Sequence, residues 1–292
     1  MFILDPGQVE EAVRELYIRA LKRLPAPVAA AIDRLAAAET NPTGRAVLET
    51  MRENIRVAGR DDLLLCQDTG IPVLTLTIGR GVAIEGGEIE AAAARGVARA
   101  TREHPLRSSV VHPITRVNAQ DSTGPGVPVI HFVFGGEPGT VRLDFVPKGS
   151  GSENGSFLGM LLPADGVDGV KRFVIDAVLE AGGKVCPPTI VGVGLGGTSD
   201  VAMHLAKRAA TRPLGSRCAD PHGAALEEEL TRAVNRLGIG PQGLGGDATA
   251  FAVQVELAAT HITLNPVAVN IQCHAARRAS AVLSAAGIVL GE

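Results

Sequence analysis

The sequence predicts an α+β fold, helix-rich with mixed β-sheets, and three observations carry that prediction. Apolar residues recur at the 3.6-residue helical period through about the first 60 positions. Strand-like runs, VPVIHFVFG and TVRLDFVP, follow in the middle of the chain. The second half then alternates helices and strands with no internal repeat, linker or low-complexity tail.

In chain order, Val9, Ala12, Val13, Leu16 and Ala20 mark a first helix. A second runs from Pro25 to about Glu39, and after a break at Asn41-Pro42-Thr43-Gly44 a third reaches about Val57. The apolar run DDLLLCQDTG stops at a polar turn and leads into a strand from Pro72 to Ile78. GGEIEAAAARGVARATREHP reads as a helix stopped by Pro105. Leu106 to Gly126 lacks periodicity and is expected to be a long loop, a length usually reserved for function. The two strand-like runs that follow are expected to form a hairpin around Gly135-Gly136-Glu137-Pro138-Gly139. Helices are expected over Val167–Ala181, Ser199–Ala210 and Ala224–Leu237, and strands over Thr189–Val193, Phe251–Ala259 and Val267–Ile271. The whole chain, 1–292, is expected to be one domain with a helical part over about 1–60.

An apolar fraction of 46% with 20% charged residues is globular rather than disordered. A net charge of -3, with no charge run, gives no support for a nucleic-acid or membrane-surface partner. No segment reaches the roughly 18 apolar residues of a membrane span, and the N-terminal stretch lacks the features of a signal peptide. The expected location is the cytoplasm, where four scattered cysteines stay reduced.

Cys66, Cys186 and Cys273 each sit at the end of a regular element, where a thiolate can point into a cleft, and the basic HAARR after Cys273 reads as a helix start. Their separations of 120 and 87 residues (186 − 66 and 273 − 186) rule out a local zinc knuckle but permit a site assembled by tertiary structure. Three thiolates suit a four-iron cluster with one unligated, Lewis-acidic iron. Spacing alone leaves open that they are small buried apolar residues. Gly192, Gly194 and Gly197 satisfy G-x-G-x-x-G, but the expected strand ending in an acidic residue is missing: TRPLGSRCADPHG occupies that place, and no strand leads into its Asp220. The plainer reading is a helix N-terminus, capped by Thr198 or Ser199, that favours an anion. KGSGSEN offers main-chain amides from Gly149 to Gly151 either as an anion nest or as a surface turn. Arg107 and Arg116 lie in the long loop, where a guanidinium fork can match a carboxylate. His261 precedes Cys273 by 12 residues at the end of a strand-like segment.

CQDTG, LRSS, KGSGSEN, CPPTIVGVGLGGTSD and the segment ending in VNIQC together resemble the class I, iron–sulfur fumarate hydratases, in their alpha subunit or N-terminal domain, over about residues 7 to 285. The resemblance implies that family's α+β domain, a [4Fe-4S] cluster on Cys66, Cys186 and Cys273, and substrate contacts from Gln67, Asp68, Arg107 and Gly149. It makes Asp68 and His261 the catalytic candidates and leaves Cys218 a bystander. It also implies hydration of fumarate to malate, a reaction of the tricarboxylic acid cycle. The C-terminal domain of the single-chain members has no counterpart here, which implies a beta subunit, in a dimer or an assembly of two alpha and two beta chains. The same alpha architecture serves L(+)-tartrate dehydratase, and KGSGSEN is closer to the fumarase version. Two rivals remain: an NAD-dependent dehydrogenase built on the glycine loop, and a non-catalytic protein holding zinc on the same cysteines.

Overall fold

Asp5 starts the first helix by accepting the Gly7 N–H at 2.9 Å, and Pro6 supplies the preset φ of a first helical residue. The computed structural model describes residues 1–84 and 88–291. Its elements run β1 (Phe2–Ile3), α1 (Pro6–Lys22), α2 (Ala26–Ala38), α3 (Pro42–Arg60), β2 (Ile71–Ile78), β3 (Val82–Ala83) and α4 (Glu88–Glu103). They continue with β4 (Val129–Phe134), β5 (Val141–Lys148), α5 (Ser150–Glu153), β6 (Ser156–Leu161), α6 (Gly166–Ala181), β7 (Thr189–Leu195) and α7 (Ser199–Thr211). The last are α8 (Pro221–Asn235), β8 (Ala250–Leu257), β9 (Asn265–Gln272), β10 (Ala279–Ser284) and β11 (Gly287–Leu290). The fold is α+β with mixed sheets. The expected start of the fourth helix at Gly86-Gly87 lies outside the described residues.

Contacts divide the chain into two compact units: Met1–Pro25, Val57–Gly149 and Arg277–Glu292 form the first, and Ala26–Arg56 with Ser150–Ala276 the second. One boundary falls inside α3, and the others separate adjacent residues, so no polar linker marks them in the sequence.

In the first unit a five-stranded sheet has the order β11-β10-β5-β2-β4. Strand β2 lies between β5, to which it is antiparallel, and β4, to which it is parallel. The expected hairpin of β4 with β5 is therefore wrong. The glycine-rich turn returns the chain two strand positions away, because β2 buries its alternate residues Leu74, Leu76 and Ile78 best between both neighbours. Helices α1 and α4 cover that face with Val9, Val13, Leu16, Ala92 and Val97 in one core. Each fully buried Leu or Ile contributes roughly 1.5–3 kcal/mol, so this apolar stripe stabilises the helices more than their propensities do. Gly96 lets the helices approach: a Cβ there would lie 2.5 Å from the Glu10 carbonyl oxygen. Between α4 and β4 no helix or strand forms among the described residues beyond an isolated Gly124–Val127 bridge, so the expected long loop is present.

The second unit holds a four-stranded sheet, β6-β9-β7-β8. The central strand β7 is buried on both faces. Val191 and Val193 pack with α6 and α8 residues such as Val174 and Leu230. Gly192 and Gly194 face α7, whose main chain at Ala202, Ala206 and Ala210 occupies the space that a Cβ would need. The helix expected after Cys273 is instead a turn followed by β10. Strands β6, β10 and β11 were not foreseen; they are short, and in β6 Gly159 is under the Phe173 ring. Among the described residues no helix is long and apolar enough to cross a membrane.

Candidate active site

The first unit brings three of the expected segments together. Leu65 is buried and its N–H donates to the Leu21 carbonyl at 2.9 Å, while Thr69 is buried four residues later. Cys66 and Gln67 between them are exposed. The Thr69 hydroxyl donates to the Arg107 carbonyl and meets the Ser109 hydroxyl at 3.2 Å, which ties the CQDTG loop to the LRSS loop. The Arg107 side chain itself is exposed. Tyr17, on α1, donates its hydroxyl to the Thr69 carbonyl at 3.1 Å, and burial pushes its phenol pKa up. Gly70 has φ 71°, and a Cβ there would lie 2.7 Å from the Pro147 carbonyl carbon, so the loop rests directly on the end of β5.

Gly149 follows that strand end and is buried. A Cβ at Gly149 would lie 3.1 Å from Asp68 Oδ2 and 3.2 Å from Arg277 Nη2. Asp68 Oδ1 accepts the Gly70 N–H at 2.9 Å. Arg277 is only 2% exposed, and its Nη1 donates to the Asp68 carbonyl. Reading the sequence missed Arg277, because HAARR reads as a basic helix start. The signal available was a basic pair within five residues of a ligand candidate. Arg116 is exposed at φ 62° and takes no part in this cluster.

The second unit brings Cys186 and Cys273 together. Cys186 follows the 3-10 turn Gly182–Val185 in the left-handed region, φ 55° and ψ 67°. Such a conformation is costly for a side chain with a Cβ and is common at functional sites. Its carbonyl accepts the N–H of His274, the residue after Cys273, at 3.1 Å. His274 Nδ1 lies 3.2 Å from the same carbonyl and 3.3 Å from Gln242 Nε2. Gln242, also left-handed at φ 53°, donates its N–H to the Pro187 carbonyl at 2.9 Å. Gln242 and His274 were likewise missed. The glycines flanking GPQGLGG were the available hint of an unusual main-chain path.

The same unit sets other candidates apart. The glycine loop and His261 lie at the C-terminal end of β7, whereas Cys186 and Cys273 lie at its N-terminal end. Seven residues of strand separate them by roughly 20 Å. His261 is exposed, and its Nδ1 meets the Thr263 hydroxyl at 2.8 Å within its own turn. Thr198 occupies the cap position of α7 without capping it; its hydroxyl donates to Asp200 Oδ1 at 2.5 Å. That acceptance, with main-chain N–H groups, holds the Asp200 carboxylate below its ordinary pKa, so the helix start already carries an anion. The expected Thr198 cap for a bound anion is thereby corrected. Asp220 caps α8 and ends no strand. Cys218 packs against Gly223 at the start of α8, and its N–H donates to Glu227 at 3.1 Å.

All four cysteines are free thiols; Cys66 is exposed and the other three half-buried. As soft donors at element ends, Cys66, Cys186 and Cys273 match in chemistry what an iron–sulfur cluster needs. Among the described residues no group of three or more His, Cys, Asp or Glu side chains is placed to hold a metal ion, and Cys66 belongs to a different unit from the other two.

The family described as fumarate hydratase (Fumerase) matches residues 10–282. A Methanocaldococcus jannaschii protein, named provisionally as an L(+)-tartrate dehydratase subunit alpha, is 42% identical over 93% of this chain and 96% of its own length. The L(+)-tartrate dehydratase subunit alpha of Escherichia coli K12 is 33% identical over 90% of this chain and 86% of its own, as is that of Shigella sonnei. With the family match spanning nearly the whole sequence, this chain belongs to the fumarate hydratase (Fumerase) family of hydro-lyases.

Proposed function

We propose that this chain is the alpha subunit of an L(+)-tartrate dehydratase that works with a beta subunit. The observation that carries the reading is 42% identity over 93% of the chain to a relative of that name, joined by two at 33%. Fumarate hydration, favoured by the Lys148–Asn154 stretch, becomes the second reading and is supported by the family description. Both use a small dicarboxylic acid.

The reaction removes a proton from the carbon beside one carboxylate and expels hydroxide from the neighbouring carbon. The product is the enol of oxaloacetate, which tautomerises to the keto acid. Cys66, Cys186 and Cys273 would hold a [4Fe-4S] cluster, which when bound supplies the Lewis acidity that stabilises the departing hydroxide. Exposed Arg107 would clamp one carboxylate bidentately. Gln67 and the main chain at Gly149 would hold the rest of the substrate in a reactive orientation. Asp68, whose Oδ1 accepts the Gly70 N–H, would move the proton or orient the hydroxyl. His261 is the other catalytic candidate: its Nδ1 meets the Thr263 hydroxyl within its own turn, an orientation that would leave proton transfer to Nε2. The beta subunit would add the remaining cationic contacts.

Anaerobic co-expression with a beta subunit, followed by parallel assays of L(+)-tartrate, malate and fumarate, tests the reading. Oxaloacetate formed from L(+)-tartrate with the highest kcat/KM of the three is the expected outcome. Faster fumarate–malate interconversion would replace it with the second reading.

A further inference from the structure

We propose that Arg277 is a positioning residue for this site: its buried guanidinium holds the Asp68 main chain and fills the space left open by Gly149. The inference rests on the reading above for the roles of Asp68 and Gly149. An arginine at 2% exposure is rare, because a buried cation must recover its lost hydration through hydrogen bonds. Arg277 spends one arm of its fork on a main-chain carbonyl, that of Asp68. The next carbonyl, that of Thr69, accepts the Tyr17 hydroxyl at 3.1 Å. Two successive peptide groups of the CQDTG loop are thus gripped by two buried donors from different elements.

The second arm explains a residue choice. Nη2 of Arg277 and Oδ2 of Asp68 both stand where a side chain at position 149 would begin, at 3.2 and 3.1 Å from its Cβ. A Cβ at position 149 would press on both, so the guanidinium and the carboxylate would each have to give by a few tenths of an ångström. Asp68 cannot swing away freely, since its other oxygen is bonded to the Gly70 N–H at 2.9 Å. Gly149, Asp68 and Arg277 therefore form one unit, in which the arginine sets the direction of the carboxylate without meeting the substrate. A lysine could keep the charge but not the fork that grips a carbonyl with one arm and packs on Gly149 with the other.

The test compares Arg277→Lys with the unaltered protein, each co-purified with the beta subunit. Amide exchange over residues 64–72 is measured by mass spectrometry, and kcat and KM are measured on L(+)-tartrate. Exchange in this loop should rise at least tenfold, while exchange in α1 stays unchanged. The kcat should fall about 100-fold, the loss typical of a reacting group misplaced by about 1 Å, with a smaller change in KM. Gly149→Ala presses on the same two groups, should lower kcat in the same direction, and serves where Arg277→Lys fails to fold. The two substitutions together should cost little more than either alone. Unchanged exchange, or raised exchange with kcat within threefold, overturns the inference. An unaltered enzyme inactive on all three acids overturns the functional reading instead, and loop exchange still decides whether Arg277 holds the loop.

Discussion

The N–H of His274 donates to the carbonyl of Cys186 at 3.1 Å, so that two cysteines 87 residues apart (273 − 186) are joined through the main chain beside one of them. The bond crosses between the ends of β7 and β9, neighbours in the second unit's sheet. It brings the main chain of the two residues together at the ends of neighbouring strands, as a consequence of sheet register.

Iron binding should follow this arrangement. After anaerobic reconstitution the protein should contain about four irons and matching sulfide per chain. Cys66→Ser, Cys186→Ser and Cys273→Ser should each lose most of it. Cys218→Ser should retain it, because that thiol packs at the start of α8 beside Gly223. Metal and acid-labile sulfide analysis reads the result, and zinc without sulfide would instead support a zinc protein.

Gln242 braces the Cys186 side of the pair through His274 and Pro187. Gln242→Ala should weaken iron retention about 10- to 100-fold, the usual cost of losing an outer-shell partner. Competition with a chelator measures it. Far-ultraviolet circular dichroism should not change.

Two glycines separate backbone conformation from crowding. Gly70 and Gly81 both have positive φ, 71° and 81°, but only Gly70 has main-chain atoms where a Cβ would go. Gly81→Ala should cost about 1 kcal/mol, and Gly70→Ala about 2–4 kcal/mol. Urea denaturation of the two variants checks the order.

A charge network in the second unit should show in the pH dependence of stability. Burial raises the Glu256 pKa, but hydrogen bonds from Arg208 and Arg212 outweigh it and the net pKa is lowered. A lowered folded pKa contributes stability above the unfolded value, about 4.3, and loses it as pH falls through the folded one. Glu256→Gln should therefore lower Tm by a constant amount from pH 8 to about 5, a loss of about 1–2 kcal/mol. The difference from the unaltered protein should narrow as pH falls below about 4.3 and close only once the pH is below the folded pKa. Thermal melts across that range decide it.

The glycine loop should not bind a dinucleotide. Gly192 and Gly194 are needed for the contact of β7 with the main chain of α7, and the start of that helix is occupied by the Asp200 carboxylate. Calorimetry with NAD should show no heat of binding.

The amino-acid sequence by itself determined the helices α1 to α3, the strand β2, the long loop before β4 and the α+β class. Each of these rests on local periodicity or on punctuation by Gly and Pro, which neighbouring residues encode. It also pointed to the loops around Cys66, Cys186 and Gly149, because their motifs are contiguous. Tertiary structure alone decided that β2 would insert between β4 and β5, since the best partner for an apolar face is a global choice. It alone turned HAARR from a helix start into a buried arginine beside Asp68, and placed His261 at the far end of the strand from Cys186. Those outcomes depend on which distant segments compete for the same space, and no local pattern of residues records that competition.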